Sequence, residues 1–167
     1  MGWSLHKGTN IFVTFNTINM KKIAVVLFLM IGTFLQAQSV DYNVKKGYAA
    51  NGYDVVAYFD GKAKEGLKKF STEYDGVKFK FQNQENLDKF KAMPNNYLPQ
   101  YGGYCAYAVA VSGKKVNVDP KTFEIRDNKL YLFYNSGNTN TLKLWQKESP
   151  DQLKTKADKN WEKIKKR

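Results

Sequence analysis

The sequence is poor in the residues from which many enzyme and metal sites are built. It holds one cysteine and one histidine in 167 residues. A lone cysteine forms no intramolecular disulfide, so the fold must stand without a covalent staple. His6 lies near the amino end and no histidine follows it. A Ser-His-Asp triad, a Cys-His pair, an HExxH motif and the Cys/His zinc patterns are therefore excluded downstream of it. Acidic residues are scarce as well: 15 stand against 27 basic ones, for a formal net charge of +12. No internal repeat or low-complexity linker interrupts the chain.

Long apolar runs are also rare, and the one present has a meaning of its own. Met20-Lys21-Lys22 precedes Ile23 to Leu35, 13 residues that are nearly all apolar, and Gln36-Ala37-Gln38 follows. A basic start, a short apolar stretch and a small residue make a secretory signal peptide, too short for a comfortable membrane span. The expected organisation is an upstream extension over 1–19, a signal peptide over 20–37 cleaved after Ala37, and one exported domain over 38–167. Its destination is the periplasm or the medium, with no integral membrane segment after cleavage. Loss of Lys7, Lys21 and Lys22 leaves 24 basic and 15 acidic residues, a net charge of +9. About 130 residues suffice to bury a core. All 11 tyrosines lie in this part, so that core should be rich in aromatic rings.

Within the exported part, residues 38–52 read as a polar lead-in and Asp54 to Phe59 as a short β-prone run. Lys62 to Lys69 reads as a charged loop. Asp75-Gly76 between Phe70–Tyr74 and Val77–Phe81 is a hairpin signal, since both residues tolerate the positive φ of a type I′ turn. Alternation turns Val77, Phe79 and Phe81 to the core and Lys78 and Lys80 to water. Asn83 can cap a helix that Pro94 ends after Met93. Tyr101 to Ala110 carries no charge and reads as a helix from near Gly103 to before Gly113, with a β alternative open. Asp119-Pro120 predicts a turn. Thr122–Arg126 and Lys129–Tyr134 form a second hairpin about Asp127-Asn128, and the latter strand, apolar on both faces, belongs inside a sheet. Leu142 and Trp145 mark a short helix. Ser149, Pro150 and Gln152 form an N-cap, an N1 proline and a capping-box partner. Leu153, Ala157, Trp161 and Ile164 then make the apolar stripe of a carboxyl-terminal amphipathic helix. The fold class is α+β: a small antiparallel sheet with short packed helices.

Four stretches together carry a resemblance: Gly52-Tyr-Asp-Val-Val-Ala-Tyr-Phe59, Asn95-Asn-Tyr-Leu-Pro-Gln-Tyr-Gly-Gly-Tyr-Cys-Ala-Tyr-Ala-Val-Ala110, Asp127-Asn-Lys-Leu-Tyr-Leu-Phe-Tyr134 and Ala157-Asp-Lys-Asn-Trp161. They resemble the small exported YHS-domain proteins of bacteria over nearly all of the exported part, and the leader resembles those of the Bacteroidetes. The resemblance implies a hairpin-helix core, matching 70–93, and an association with metal handling. The chain departs from the tyrosine-histidine-serine signature, having no histidine after His6.

Candidate sites are few. Cys105 and Met93 are the soft donors that suit Cu(I) or another transition metal ion; the competing reading of Cys105 is a small buried hydrophobe. Gly102-Gly103 either offers backbone N–H groups to an anion or serves close packing. Tyr97, Tyr101, Tyr104 and Tyr107 either line a pocket for a small apolar or aromatic ligand, with Asp54 or Asp119 as polar anchor, or form a tyrosine-rich core rim. No carboxylate pair has a recognisable catalytic spacing, and no enzyme activity is expected. The basic balance invites nucleic acid, but export and the acids interspersed in the basic tail argue against it. The expected function is an exported small binding protein in metal handling; the alternative is a structural or protein-interaction module, or a small-ligand binder with an aromatic pocket, without metal.

Overall fold

The computed structural model describes residues 1–2 and 40–166. The expected extension and signal peptide therefore lie outside the described residues, save Met1 and Gly2. The segment read as a lead-in is built into the domain. Strands β1 (Val44–Lys45) and β2 (Tyr48–Ala49) form a small antiparallel ladder. Lys46 and Gly47 turn between them at φ 52° and 82°. Tyr42, Asn43, Ala49 and Ala50 are buried. The backbone of this segment bonds to the far end of the chain, Asp41 N to Lys165 O at 3.0 Å. Beyond the local β1–β2 ladder its partners, Lys78 and Lys165, are distant in sequence, which is why the polar composition misled.

Asp54 to Phe59 is not a strand. Asp54 Oδ1 accepts from Val56 N at 2.9 Å and from Ala57 N at 3.2 Å. That side-chain bonding competes with a ladder, and a 3-10 turn, Ala57–Asp60, follows. The charged stretch after it ends early, because β3 (Leu67–Tyr74) begins at Leu67 as the edge of the sheet. Its lysines suit an edge exposed to water.

The first hairpin is as the turn residues predict. Asp75 and Gly76 take φ 50° and 74° between β3 and β4 (Val77–Phe81). Val77, Phe79 and Phe81 are buried. Lys80 departs from expectation: its ammonium pairs with Glu65 at 2.8 Å, lies over the Tyr48 ring, and leaves the side chain only 12% exposed. The sheet runs β1-β2-β4-β3, antiparallel except where β2 meets β4 at Tyr48 and Lys78. Helix α1 (Gln84–Ala92) starts with Asn83 Oδ1 accepting from Asn86 N at 2.8 Å and ends at Met93. Phe90 seats against Phe79 and Phe81, with centroids 4.9 and 5.0 Å apart. Each fully buried phenylalanine is worth about 1.5–3 kcal/mol of removal from water.

After 3-10 turns at Pro94–Asn96 and Gln100–Gly103, helix α2 (Ala106–Ser112) is shorter than expected and starts later, with Gly113 closing it at φ 62°. Strand β5 (Asp119–Arg126) takes in Asp119-Pro120 as an irregularity of register rather than a separate turn. It pairs with β6 (Lys129–Phe133) about Asp127 and Asn128, at φ 50° and 55°. On its other side β6 meets Pro99 and Cys105 through isolated parallel bridges, so it is an inner strand. A short ladder, β7 (Asn135–Ser136) with β8 (Thr139–Asn140), leads into α3 (Thr141–Lys147).

Helix α4 (Pro150–Ile164) has Ser149 at its N-cap, but the serine side chain makes no capping bond. The capping box is therefore not formed, and Ser149 O accepting from Leu153 N at 2.9 Å begins the helix. Of the predicted stripe, Leu153 and Ala157 are buried, while Trp161 and Ile164 are half-buried. Asn160 Nδ2 donates to the α2 carbonyls of Val109 and Ala110 at 2.9 and 3.1 Å, tying the two helices together. The fold is α+β, and among the described residues no helix is long and apolar enough to cross a membrane.

Candidate functional site

Where α4 passes the 3-10 turn before α2, the aromatic rings are not fully covered. An open groove of about 610 Å³ lies there. Its floor includes Tyr42, Pro99, Tyr101, Gly102 and Trp161. Its charged rim is Lys129 from β6 with Asp158, Lys159 and Glu162 from α4. Asp158, Trp161 and Glu162 stand at i, i+3 and i+4, one helical face.

Tyr101 is the centre of this arrangement. It is buried, and its backbone adopts the left-handed region at φ 55°, ψ 39°. A bulky residue there is strained, and such strain needs surrounding structure to hold it. Two interactions do so. The phenol donates to Asp158 Oδ1 at 2.9 Å. The ring packs against Tyr131 and Trp161, at centroid distances of 6.0 and 6.1 Å. Burial, followed by the hydrogen bond to Asp158, pushes the Tyr101 phenol well above the ordinary tyrosine value. It stays neutral and serves as a donor.

Gly102, at φ 61°, is required by close approach. A Cβ there would lie 2.2 Å from the Asp41 carbonyl oxygen and 3.1 Å from the Trp161 ring. The carbonyls of Gly102 and Gly103 accept from Asn43 N at 2.8 Å and Asn43 Nδ2 at 3.1 Å. The glycine pair thus receives the chain's own amino-side segment, and this close packing replaces the anion cradle read from sequence.

The other sequence candidates are placed elsewhere. Asp54 is fully buried and each carboxylate oxygen accepts twice, Oδ2 from Gln82 N at 2.8 Å and Asn86 Nδ2 at 2.7 Å. With Val56 and Ala57 on Oδ1, it is a structural hub and not a ligand anchor. Asp119 is spent on its own strand, accepting from Lys121 N at 3.0 Å and Thr122 Oγ1 at 2.9 Å. Tyr97 packs edge-on against Phe59. Tyr104 donates to Asp41 at 3.1 Å, and Tyr107 donates to Glu148 at 2.6 Å. Of the four tyrosines only Tyr101 lines the groove.

The two sulfur donors differ in exposure and in partner. Cys105 is fully buried, its thiol 3.2 Å from Thr141 Oγ1. Met93 is 54% exposed, and its thioether accepts from Asn96 at 3.6 Å. Among the described residues no group of three or more His, Cys, Asp or Glu side chains could hold a metal ion. The two sulfurs of the expected copper site thus have different surroundings, the thiol enclosed and the thioether open to water.

Sequence reasoning missed Trp161 as a groove residue because it shares the apolar stripe of α4. The polar residues at its helical neighbours, Asp158 and Glu162, were the available signal that this part of the stripe meets water. Lys129, Lys159 and Pro99 carried no signal of their own. Comparison with family models, with curated proteins and with solved structures finds no match.

Proposed function

We propose that this chain is an exported, non-enzymatic binding protein, similar to the small YHS-domain proteins, that takes a small aromatic or apolar ligand in the groove beside Tyr101 and Trp161. The leader at 20–37 supports export, and the Tyr101-Gly-Gly-Tyr-Cys-Ala106 string supports the resemblance. The observation that carries the binding reading is a strained, buried Tyr101 locked by Asp158 at the base of a groove where Trp161 stays half-buried. Rings with a fixed orientation present flat apolar area at little cost in side-chain entropy. Binding here rests on rings and not on sulfur, so copper plays no part in this reading. No covalent chemistry is assigned, because the neutral Tyr101 and its hydrogen-bonded Asp158 act as a structural pair.

The neutral probe phenylnaphthylamine, whose fluorescence rises in apolar surroundings, tests the reading. One site is expected per chain, and Trp161→Leu should weaken binding about tenfold through loss of ring contact. Probe binding that is absent, or indifferent to Trp161→Leu in a variant of native circular dichroism, overturns the proposal.

A further inference from the structure

The rim of the groove carries two acids and two bases, yet only the acids have charged or phenolic donors of their own. Asp158 Oδ1 accepts from the Tyr101 phenol at 2.9 Å. Glu162 Oε2 accepts from Lys165 Nζ at 2.6 Å. Lys129 and Lys159, like most of the exposed lysines, form no ion pair among the described residues, but these two stand on one groove. Both are exposed, on different elements, and both line the same groove. The rim therefore has two ammonium groups held in no direct ion pair, Lys159 and Lys129, the latter near enough to Asp127 for its charge to help hold that carboxyl below its ordinary value, above a floor of ring faces.

From this imbalance we infer that the ligand is an aromatic small molecule bearing an anionic group, carboxylate, sulfonate or phosphate ester, with its ring on Trp161 and its charge toward Lys129 and Lys159. The inference rests on the binding reading above and narrows its ligand class. A neutral aromatic would gain the ring contact alone. A cationic one would be repelled by the two ammonium groups and would have to share Asp158 with the Tyr101 phenol and Glu162 with Lys165. The surplus of basic charge over the exported part, +9, adds a favourable field for an approaching anion.

Anilinonaphthalene sulfonate and uncharged phenylnaphthylamine share one ring system and differ by the sulfonate, so they separate charge from ring contact. The double variant Lys129→Gln, Lys159→Gln alters exposed side chains and should fold normally. It should weaken sulfonate binding about tenfold, the sum of two partly exposed ion pairs, and leave the neutral probe within about twofold. Added salt should weaken the sulfonate selectively, as screened surface charges require. If the double variant leaves sulfonate affinity unchanged while Trp161→Leu still weakens both probes, the anionic ligand class is wrong and the binding reading stands. If Trp161→Leu weakens neither probe, both fall.

Discussion

Around Phe79, Phe81 and Phe90 the core is carbon against carbon, sealed by α1 and crossed by one buried carboxylate, Asp54. Around Tyr101, Tyr131 and Trp145 it is also aromatic, but every one of these rings carries a polar atom. Phenylalanine can be enclosed on all sides without cost. A phenol or indole must find a partner or lie near water. Tyr101 finds Asp158, whereas the Trp145 indole N–H finds no partner among the described residues. Tyr131 and Trp145 are nonetheless fully enclosed, and the groove opens only at the edge of this core, beside Tyr101 and Trp161. In the first half one buried carboxylate gathers four donors, whereas in the second the charged groups stand along a rim.

The largest expected effect follows from that concentration. Asp54→Ala would leave the N–H groups of Val56, Ala57 and Gln82 and the Asn86 amide without their acceptor. Orphaning several buried donors at once costs about 3–5 kcal/mol or more, comparable with breaking a buried ion pair. Denaturant unfolding should show that loss, with Asp54→Asn intermediate because the amide keeps one acceptor oxygen. A loss below about 1 kcal/mol would mean that the first half tolerates polar disruption as well as the second.

Alkaline titration sharpens the comparison next. Burial pushes the phenols of Tyr42 and Tyr58 in the first half, and of Tyr101 and Tyr131 in the second, above their ordinary value. The folded protein favours the protonated phenol. That stabilisation is fully present below the unfolded-state value of about 10 and is lost as pH rises through the elevated folded-state values. Stability should therefore decline from about pH 10 upward. Phenolate absorbance of these rings should appear together with unfolding. Tyr101→Phe should flatten the decline by removing one titrating group, at the cost of its bond to Asp158. Phenolate absorbance that appears fully in the folded state would show that these rings are not enclosed.

How far the sequence foretold the molecule follows the same division between local and distant causes. The hairpins at Asp75-Gly76 and Asp127-Asn128 were legible because the turn residues themselves supply the positive φ. Helix α1 was legible because Asn83 caps it locally and Pro94 follows Met93. The amino-side segment was not, since its bonds reach Gly102, Gly103 and Lys165. Asp54 to Phe59 has β-prone composition, but one carboxylate redirects its backbone. The groove combines a turn, a strand end and one face of α4, so only Tyr101 and Gly102 among the proposed site residues were found in it. Burial of Cys105 agrees with its uncharged surroundings.

The smallest effect concerns the two helix starts, where the stronger sequence signal has the weaker cap. Asn83 makes its capping bond to Asn86 N, and Asn86 in turn donates to Asp54, so this cap is joined to the buried hub. Ser149 has the better sequence signature, with Pro150 and Gln152 behind it, yet its hydroxyl makes no cap. Helix α4 is held by Leu153 and Ala157 in the second core and by Asn160 on α2. Asn83→Ala should cost about 1 kcal/mol, as lost caps do. Ser149→Ala should stay within about 0.5 kcal/mol, as for a surface change that removes no bond. Parallel denaturant curves decide between them. Equal losses would mean that the serine caps α4 in solution and that local signals govern both halves. The unequal result places the stability of α4 in its packing, where substitutions at Ala157 or Asn160 would be felt before any at the cap.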